Sequence, residues 1–241
     1  MYSSRGRTLL YTMMTLSMGA SSLQAMADES DLYKFLWLDP DKKVYVLQNK
    51  LYKKSETIYA QLGYVSNLSG EYQDTSGINF RSGYYLNEEW ALEGFYNSYS
   101  NSNNDAYDNL QRINQSVPFI RRLTSSYGLM GVWSPFYGKI NTFNKIIYFD
   151  WSFGLGLAKI NTESNKDTVS DPAKSSTFTA ESYTGAIAKT GLRVHASKRW
   201  FIGIDLQRSM YKAPGPVING QASSTKLRGT TDAILSVGFS F

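Results

Sequence analysis

The stretch from Ile147 to Ala158, IYFDWSFGLGLA, decides the fold class. Large apolar residues stand at every second position, and small or acidic residues stand between them, so a pleated strand would carry one apolar and one polar face. The apolar set is Phe149, Trp151, Phe153, Leu155 and Leu157, and the other set is Asp150, Ser152, Gly154, Gly156 and Ala158. The alternation predicts a β-strand long enough to cross a membrane.

The same alternation recurs near the end of the chain, in residues 200 to 210 and 231 to 241. Such strands suit two architectures. In a soluble sandwich the apolar face packs in the core, whereas in a membrane barrel it faces lipid and the polar face fills the interior. Periodicity alone leaves both architectures open.

The number of strands and the lengths of their connections favour the barrel. Eight segments of membrane-spanning length are found at 56–66, 76–86, 89–99, 124–137, 146–159, 183–196, 199–211 and 230–241. The short connections are predicted at 87–89, 138–145 and 197–199, and the long polar ones at 67–75, 100–123, 160–182 and 212–229. Outer-membrane barrels alternate short periplasmic turns with long external loops in this way. We therefore predict an all-β, eight-stranded antiparallel transmembrane β-barrel, with ten strands as the alternative if part of 100–123 pairs.

Aromatic residues gather near the predicted strand ends, as interfacial girdles require. The residues predicted for the two girdles are Trp90, Trp133, Phe149, Trp151, Tyr183, Trp200, Tyr211 and Phe241. The last five residues, Val237 to Phe241, also resemble the C-terminal signature that the barrel assembly machinery of outer membranes recognises, through Gly238, Phe239 and Phe241. The resemblance implies that this machinery is a partner.

The first 27 residues have the three-part layout of a secretory signal peptide, with Arg5 and Arg7, an apolar run and then Ala25-Met26-Ala27. Residues 28–55 are predicted to form a short N-terminal periplasmic segment and 56–241 the barrel. The whole chain carries a formal charge of +5, and two of its basic residues belong to the predicted leader. Little basicity is left to attract nucleic acid, so no nucleic-acid partner is expected. Export and a barrel together predict the outer membrane of a Gram-negative bacterium.

The composition excludes most site chemistry. The chain has no cysteine and a single histidine, His195, which rules out disulfides, cysteine-based metal sites and multi-histidine metal sites. We expect neither a metal nor a cofactor.

Two stretches point to a family. The segments VYVLQNKLYKK (44–54) and WSPFYGKINTFNKIIYFDWSFGLGLA (133–158) resemble outer-membrane β-barrel domain proteins of the myxobacterial type, and the chain is more broadly similar to the small OmpA, OmpX and OmpW barrels. The resemblance implies fold and location, and it brings no substrate or catalytic residue with it.

If the apolar faces meet lipid, seven charged residues fall on the interior face: Arg81, Glu93, Asp150, Lys189, Arg193, Asp205 and Asp232. An eight-stranded barrel is just wide enough for its own side chains, so these charges are expected to pair with one another and fill the interior. The alternative is a narrow channel for ions or small apolar solutes. A third hypothesis, a lipid-modifying enzyme, depends on His195, which is predicted near the periplasmic end and far from outer-leaflet lipid.

The predicted function is therefore structural or surface-interacting, non-enzymatic, and carried by the long external loops. The expected partners are outer-membrane lipid, lipopolysaccharide and an unknown extracellular or envelope protein. The basic residues of the second long loop, Arg112, Arg121 and Arg122, are candidates to contact the anionic groups of lipopolysaccharide.

Overall fold

The computed structural model describes residues 51 to 142, 145 to 169, 177 to 218 and 221 to 241. The predicted signal peptide and residues 28–50 of the predicted periplasmic segment lie outside these ranges. Within the described ranges, no helix is both long enough and apolar enough to cross a membrane.

Eight antiparallel strands close into a ring. They are β1 (Ile58–Asn67), β2 (Gln73–Tyr85), β3 (Trp90–Asn103), β4 (Arg121–Thr142), β5 (Lys145–Ser164), β6 (Thr179–His195), β7 (Trp200–Ala213) and β10 (Lys226–Ser240). Their order around the ring is β1, β10, β7, β6, β5, β4, β3, β2. The first strand pairs with the last, from Tyr59 opposite Ser240 to Asn67 opposite Asp232. The predicted all-β eight-stranded barrel is confirmed. Two more strands, β8 (Val217–Ile218) and β9 (Gln221–Ala222), form a separate two-stranded sheet in a loop.

The ten-strand alternative is wrong because residues 100–123 contain a helix, α1 (Asp105–Asn114), between the extended ends of β3 and β4. The side chain of Asn104 caps the helix by accepting a hydrogen bond from the backbone N–H of Tyr107. Asp105 in the first turn and Arg112 in the last complement the helix dipole. The sequence analysis predicted only a loop here because the segment is polar and lacks apolar alternation. The cap and the charged residues at the two ends of the helix are the features that indicate it.

The predicted loop at 138–145 is also wrong. The β4–β5 ladder continues from Gly138 opposite Phe149 to Thr142 opposite Lys145. The β-branched residues Ile140, Ile146 and Ile147 favour strand here. The pairing of β4 with β3 stops at Trp133 and that of β5 with β6 stops at Tyr148, so the rest of the hairpin extends beyond the ring.

The two faces of the wall differ as the alternation requires. Outward side chains form an apolar belt, which includes Leu62, Ile78, Phe80, Leu92, Leu129, Leu155, Leu157, Ile204, Leu206, Leu235 and Val237, all exposed. At the end of the barrel where the short turns lie, four tryptophans border the belt: Trp90, Trp133, Trp151 and Trp200.

Two predicted girdle residues are placed differently. Tyr183 and Tyr211 face the interior and stack on each other, with ring centroids 5.4 Å apart. The tyrosines on the outer wall toward the long loops are instead Tyr64, Tyr96 and Tyr127. The prediction failed for Tyr183 and Tyr211 because proximity to a strand end says nothing about which face a residue takes.

Candidate functional site

The seven predicted interior charges all project from the inward positions of their strands. Six of them are at most 6% exposed, and Arg193 is half-buried. The structure brings four of them together and gives the other three separate partners.

Arg81, Glu93, Lys189 and Asp205 form the charge layer at the middle of the barrel. Arg81 Nη1 lies 3.1 Å from Asp205 Oδ2 and 3.6 Å from Glu93 Oε1. Lys189 Nζ donates to the same Glu93 oxygen at 2.5 Å. Two cations face two carboxylates, so the layer is formally neutral, as burial of charge requires.

Neutral groups complete the charge layer. Tyr59 Oη donates to Glu93 Oε2 at 2.6 Å, and Arg81 Nη2 donates to Gln207 Oε1 at 2.7 Å. Gln207 is fully buried and lies on β7, two residues beyond Asp205. Sequence reasoning missed both partners because it followed charge alone, although both occupy inward positions of the alternation.

The expected pairing of Arg193 with an acid is wrong. Its guanidinium carbon lies 4.1 Å from the centroid of the Phe201 ring and 4.3 Å from that of Tyr59, and Nη1 donates to Tyr85 Oη at 2.9 Å. In the described ranges no carboxylate oxygen lies within 4.0 Å of it. A guanidinium is weakly hydrated and stacks well on aromatic faces, so the rings replace the carboxylate here.

Asp232 also departs from the expected pairing. Tyr99 Oη donates to its Oδ2 and Asn67 Nδ2 to its Oδ1, each at 2.7 Å. Both donors are neutral, and the described residues place no cation within ion-pair distance of this carboxylate. Hydrogen bonds alone satisfy the buried acid.

Asp150 lies at the short-turn end of the barrel, where its partners are Lys54 and His195. Lys54 Nζ contacts Oδ1 and His195 Nε2 contacts Oδ2, each at 2.7 Å. Lys54 precedes β1 and is only 4% exposed, so the chain before the first strand inserts a side chain into this mouth. The sequence analysis missed Lys54 because it lies outside any alternating segment.

Aromatic rings cover the same mouth. Tyr52 stacks on His195 with centroids 4.4 Å apart, and Tyr148 of the extended hairpin packs edge-on against Tyr52 at 5.4 Å. The histidine required by the enzyme hypothesis is thus held between a carboxylate and a tyrosine ring. Among the described residues, no three His, Asp or Glu side chains are grouped to hold a metal ion.

The opposite mouth is lined by basic and aromatic residues. Arg121 Nε donates to Glu181 Oε2 at 3.1 Å and Nη2 donates to the Pro214 carbonyl at 2.9 Å. Lys166 Nζ contacts the other oxygen of Glu181 at 2.5 Å, and this hydrogen bond raises the pKa of Lys166. Arg121 therefore turns into the mouth.

The other two basic residues of the predicted lipopolysaccharide contact point elsewhere. Arg122 pairs with Glu163 at 2.7 Å on the outer face, and Arg112 stands in the last turn of α1.

A cavity of about 290 Å³ opens beside Arg121. The first loop, the segment just before β4 and the start of β10 line it, and they contribute Phe119, Arg228 and Thr230. Phe119 lies between the two arginines, with its centroid 5.2 Å from the guanidinium carbon of Arg121 and 5.7 Å from that of Arg228.

The C-terminal residues of the predicted assembly signal occupy both faces of β10. Gly238 faces inward, where a Cβ would overlap the ring of Phe201, so only glycine leaves room for that ring. Phe239 packs on Trp200 and on Phe241 outside, each with centroids 5.0 Å apart. Their part in assembly is still a prediction.

No protein-family model matches the chain, and no curated protein matches it. Among solved structures, the chain is similar to the N-terminal β-barrel domain of OprF from Pseudomonas aeruginosa, with 16% identity and a TM-score of 0.46 over 78% of this chain and 98% of that one. It is also similar to Ail, the attachment invasion locus protein of Yersinia pestis, with 14% identity and a TM-score of 0.42 over 78% and 99%. OprG from P. aeruginosa matches with 10% identity and a TM-score of 0.45 over 79% and 98%. Membership of the myxobacterial-type family is still a prediction. The structure shows that the chain forms a closed eight-stranded antiparallel barrel.

Proposed function

We propose that the chain is a non-enzymatic barrel of the Gram-negative outer membrane, filled by its own side chains, which acts through its long loops as a surface-interaction protein. The observation that carries the proposal is the inversion of polarity across the wall. Fully buried Arg81 and Glu93 lie inside, while the outer wall exposes leucine, isoleucine, phenylalanine and valine. In a water-soluble barrel this arrangement would expose a large apolar surface to water. In a membrane barrel it places the apolar side chains against lipid and the polar ones in the interior.

The height of the apolar belt supports a membrane location. Along β5 the outward residues run from Trp151 through Leu155 and Leu157 to the first charged one, Lys159. Eight steps at about 3.4 Å each give roughly 27 Å along the strand, or about 20 Å along the axis of a barrel whose strands tilt by about 40°. This approaches the apolar band of about 25 Å that outer-membrane barrels present.

The distribution of connections supports the orientation. Residues 86–89 and 196–199 make tight turns at one end of the barrel. At the other end are the strand ends that lead into the four longer connections, which cover 68–72, 104–120, 165–178 and 214–225 in sequence. Long loops point outward in barrels of this class. We therefore propose that helix α1, with Ile113 79% exposed, is presented to the exterior, where an envelope or extracellular protein or lipopolysaccharide would meet it.

The filled interior favours a plugged barrel over a channel. The charge layer spans the lumen from β2 and β3 to β6 and β7 through direct contacts. The mouth near the short turns is occupied by Lys54 and Tyr52.

Two measurements test the proposal. Cell fractionation should place the protein in outer membranes, and an unheated sample in SDS should migrate differently from a boiled one. Purified protein in a planar bilayer should produce no conductance steps. Recovery from the soluble periplasm would overturn the membrane location, and reproducible conductance would overturn the plugged interior in favour of a channel.

A further inference from the structure

The cavity at the loop end is lined by arginine and threonine side chains whose hydrogen-bonding groups are not all used within the protein. Three residues that line it carry buried polar atoms that have no hydrogen-bond partner among the residues that the structure describes: Arg121 Nη1, Arg228 Nε and Thr230 Oγ1. Buried donors are almost always satisfied, so three in one place point to a missing acceptor.

The charges around the cavity leave an excess of positive charge. Glu181 is shared between Arg121 and Lys166. The described residues hold no carboxylate within 4.0 Å of Arg228, whose guanidinium carbon lies 5.7 Å from the centroid of the Phe119 ring. Among the described residues, Glu71 is the only acid that lines the cavity, and its side chain is exposed. Two arginines on one small cavity form charge-assisted hydrogen bonds with a carboxylate or phosphate better than with water.

The rest of the lining indicates the size and character of the ligand. A volume of about 290 Å³ holds roughly ten water molecules at about 30 Å³ each, which is the size of one sugar unit. The lining also contains the neutral polar side chains of Asn67, Gln73 and Thr75, each of which makes a hydrogen bond within the barrel. Phe119 and Tyr211 add aromatic surface. This mixture suits a molecule with hydroxyl groups on an apolar ring frame.

We propose that this cavity binds the anionic group of a monosaccharide-sized, hydroxylated ligand, such as a phosphorylated or carboxylated sugar. Arg121 and Arg228 contact the anion, and Thr230 donates a further hydrogen bond to it. The ligand is either a free solute or the phosphorylated sugar of a neighbouring outer-leaflet lipid. The inference adds a ligand to the surface role proposed above and rests on that role only for the side from which the ligand arrives.

The test uses the full chain folded in detergent, so it does not depend on membrane location or conductance. Isothermal titration with glucose 6-phosphate and with inorganic phosphate should show saturable binding, and neutral glucose should bind at least tenfold more weakly. Side-chain Nε–H signals of Arg121 and Arg228 in ¹⁵N NMR spectra should shift with the same saturation curve. No binding of either anion, or equal binding of glucose, would overturn the proposal.

Matched variants localise the binding. Arg228→Gln and Thr230→Val should each weaken glucose 6-phosphate by about tenfold, the effect of one lost hydrogen bond to a charged group. Arg208→Gln makes the same charge change on the exposed outer face and should leave the affinity within about twofold. Equal weakening by Arg208→Gln would show a general charge effect and overturn the site.

Unheated SDS mobility checks that each variant is folded. If Arg228→Gln does not fold, the nearly isosteric Thr230→Val still tests the site. Adding lipopolysaccharide to the micelles separates the two sources of the ligand. Displacement of the sugar phosphate supports the lipid sugar, and unchanged binding supports the free solute.

Discussion

Lys189 illustrates how single residues hold the interior together. Its side chain is only 3% exposed, and its Nζ contacts the fully buried carboxylate of Glu93, which also accepts a hydrogen bond from Tyr59 Oη. Arg81 Nη1 lies 3.6 Å from Glu93 but 3.1 Å from Asp205, so this cation is shared between two carboxylates and does not compensate Glu93 alone. Removing the ammonium therefore leaves a buried acid short of a partner.

We expect Lys189→Met to lower the free energy of unfolding by about 3 to 5 kcal/mol. Urea unfolding in lipid vesicles measures this loss. Lys159→Met, the same change at an exposed outward position, is the control and should shift stability by less than about 0.5 kcal/mol. If the interior were a hydrated channel, water would solvate Glu93, and the two variants would unfold alike. Lys189 is the better test than Arg193, whose partners are aromatic rings.

At the scale of elements, the segment before β1 and the extended β4–β5 hairpin act together. Tyr52 lies between His195 and Tyr148 of the hairpin, and Lys54 reaches Asp150. The backbone N–H of Lys54 also faces the carboxylate of Glu88 in the turn between β2 and β3, at 3.3 Å. The hairpin extension therefore packs against the segment 51–57, which places Tyr52 and Lys54 in this mouth.

Lys54→Met should destabilise the barrel by about 3 kcal/mol, the low end for a broken buried ion pair, because His195 still contacts Asp150. Lys53→Met, next to it but exposed, should leave urea unfolding unchanged within about 0.5 kcal/mol. Limited proteolysis of the folded barrel should cleave near residues 51–57 faster in Lys54→Met than in Lys53→Met. If the two variants were equally stable and equally resistant to proteolysis, Lys54 would not hold the segment 51–57 in place.

At the scale of the whole molecule, the apolar belt predicts where lipid lies. Leu155 is 72% exposed and stands midway between Trp151 and Lys159 on β5. Leu155→Arg should cost about 2 to 4 kcal/mol for folding into vesicles, as expected near the bilayer midplane. Leu227→Arg, at a position 68% exposed near the loop end of β10, should cost about 0 to 1 kcal/mol. A Leu155→Arg variant that folds into lipid as readily as the unmodified protein would place the bilayer elsewhere.

The alternation of the sequence was sufficient to predict the eight barrel strands and the inward position of all seven charged residues, because a period of two leaves only two faces to choose from. It was not sufficient for partner choice. Arg193 meets rings, Asp232 meets neutral donors, and Asp150 meets a lysine from before the first strand. These contacts join strands distant in sequence, and their geometry depends on barrel radius and strand stagger, which no local pattern encodes.

The seam between β1 and β10 ties the first barrel residues to the last ones, with Ala60 opposite Phe239. A prefix of the chain that ends between β7 and β10 leaves one edge of β1 and one edge of β7 without a neighbour, because β10 alone separates them, and a shorter prefix lacks further strands of the ring. Unpaired N–H and C=O groups cannot be left in hydrocarbon, so such a prefix has no stable inserted form. For the membrane barrel proposed above, we therefore expect insertion to follow completion of synthesis. Premature stop codons anywhere upstream of Lys226 should then behave as complete losses of the protein, however long the remaining chain is.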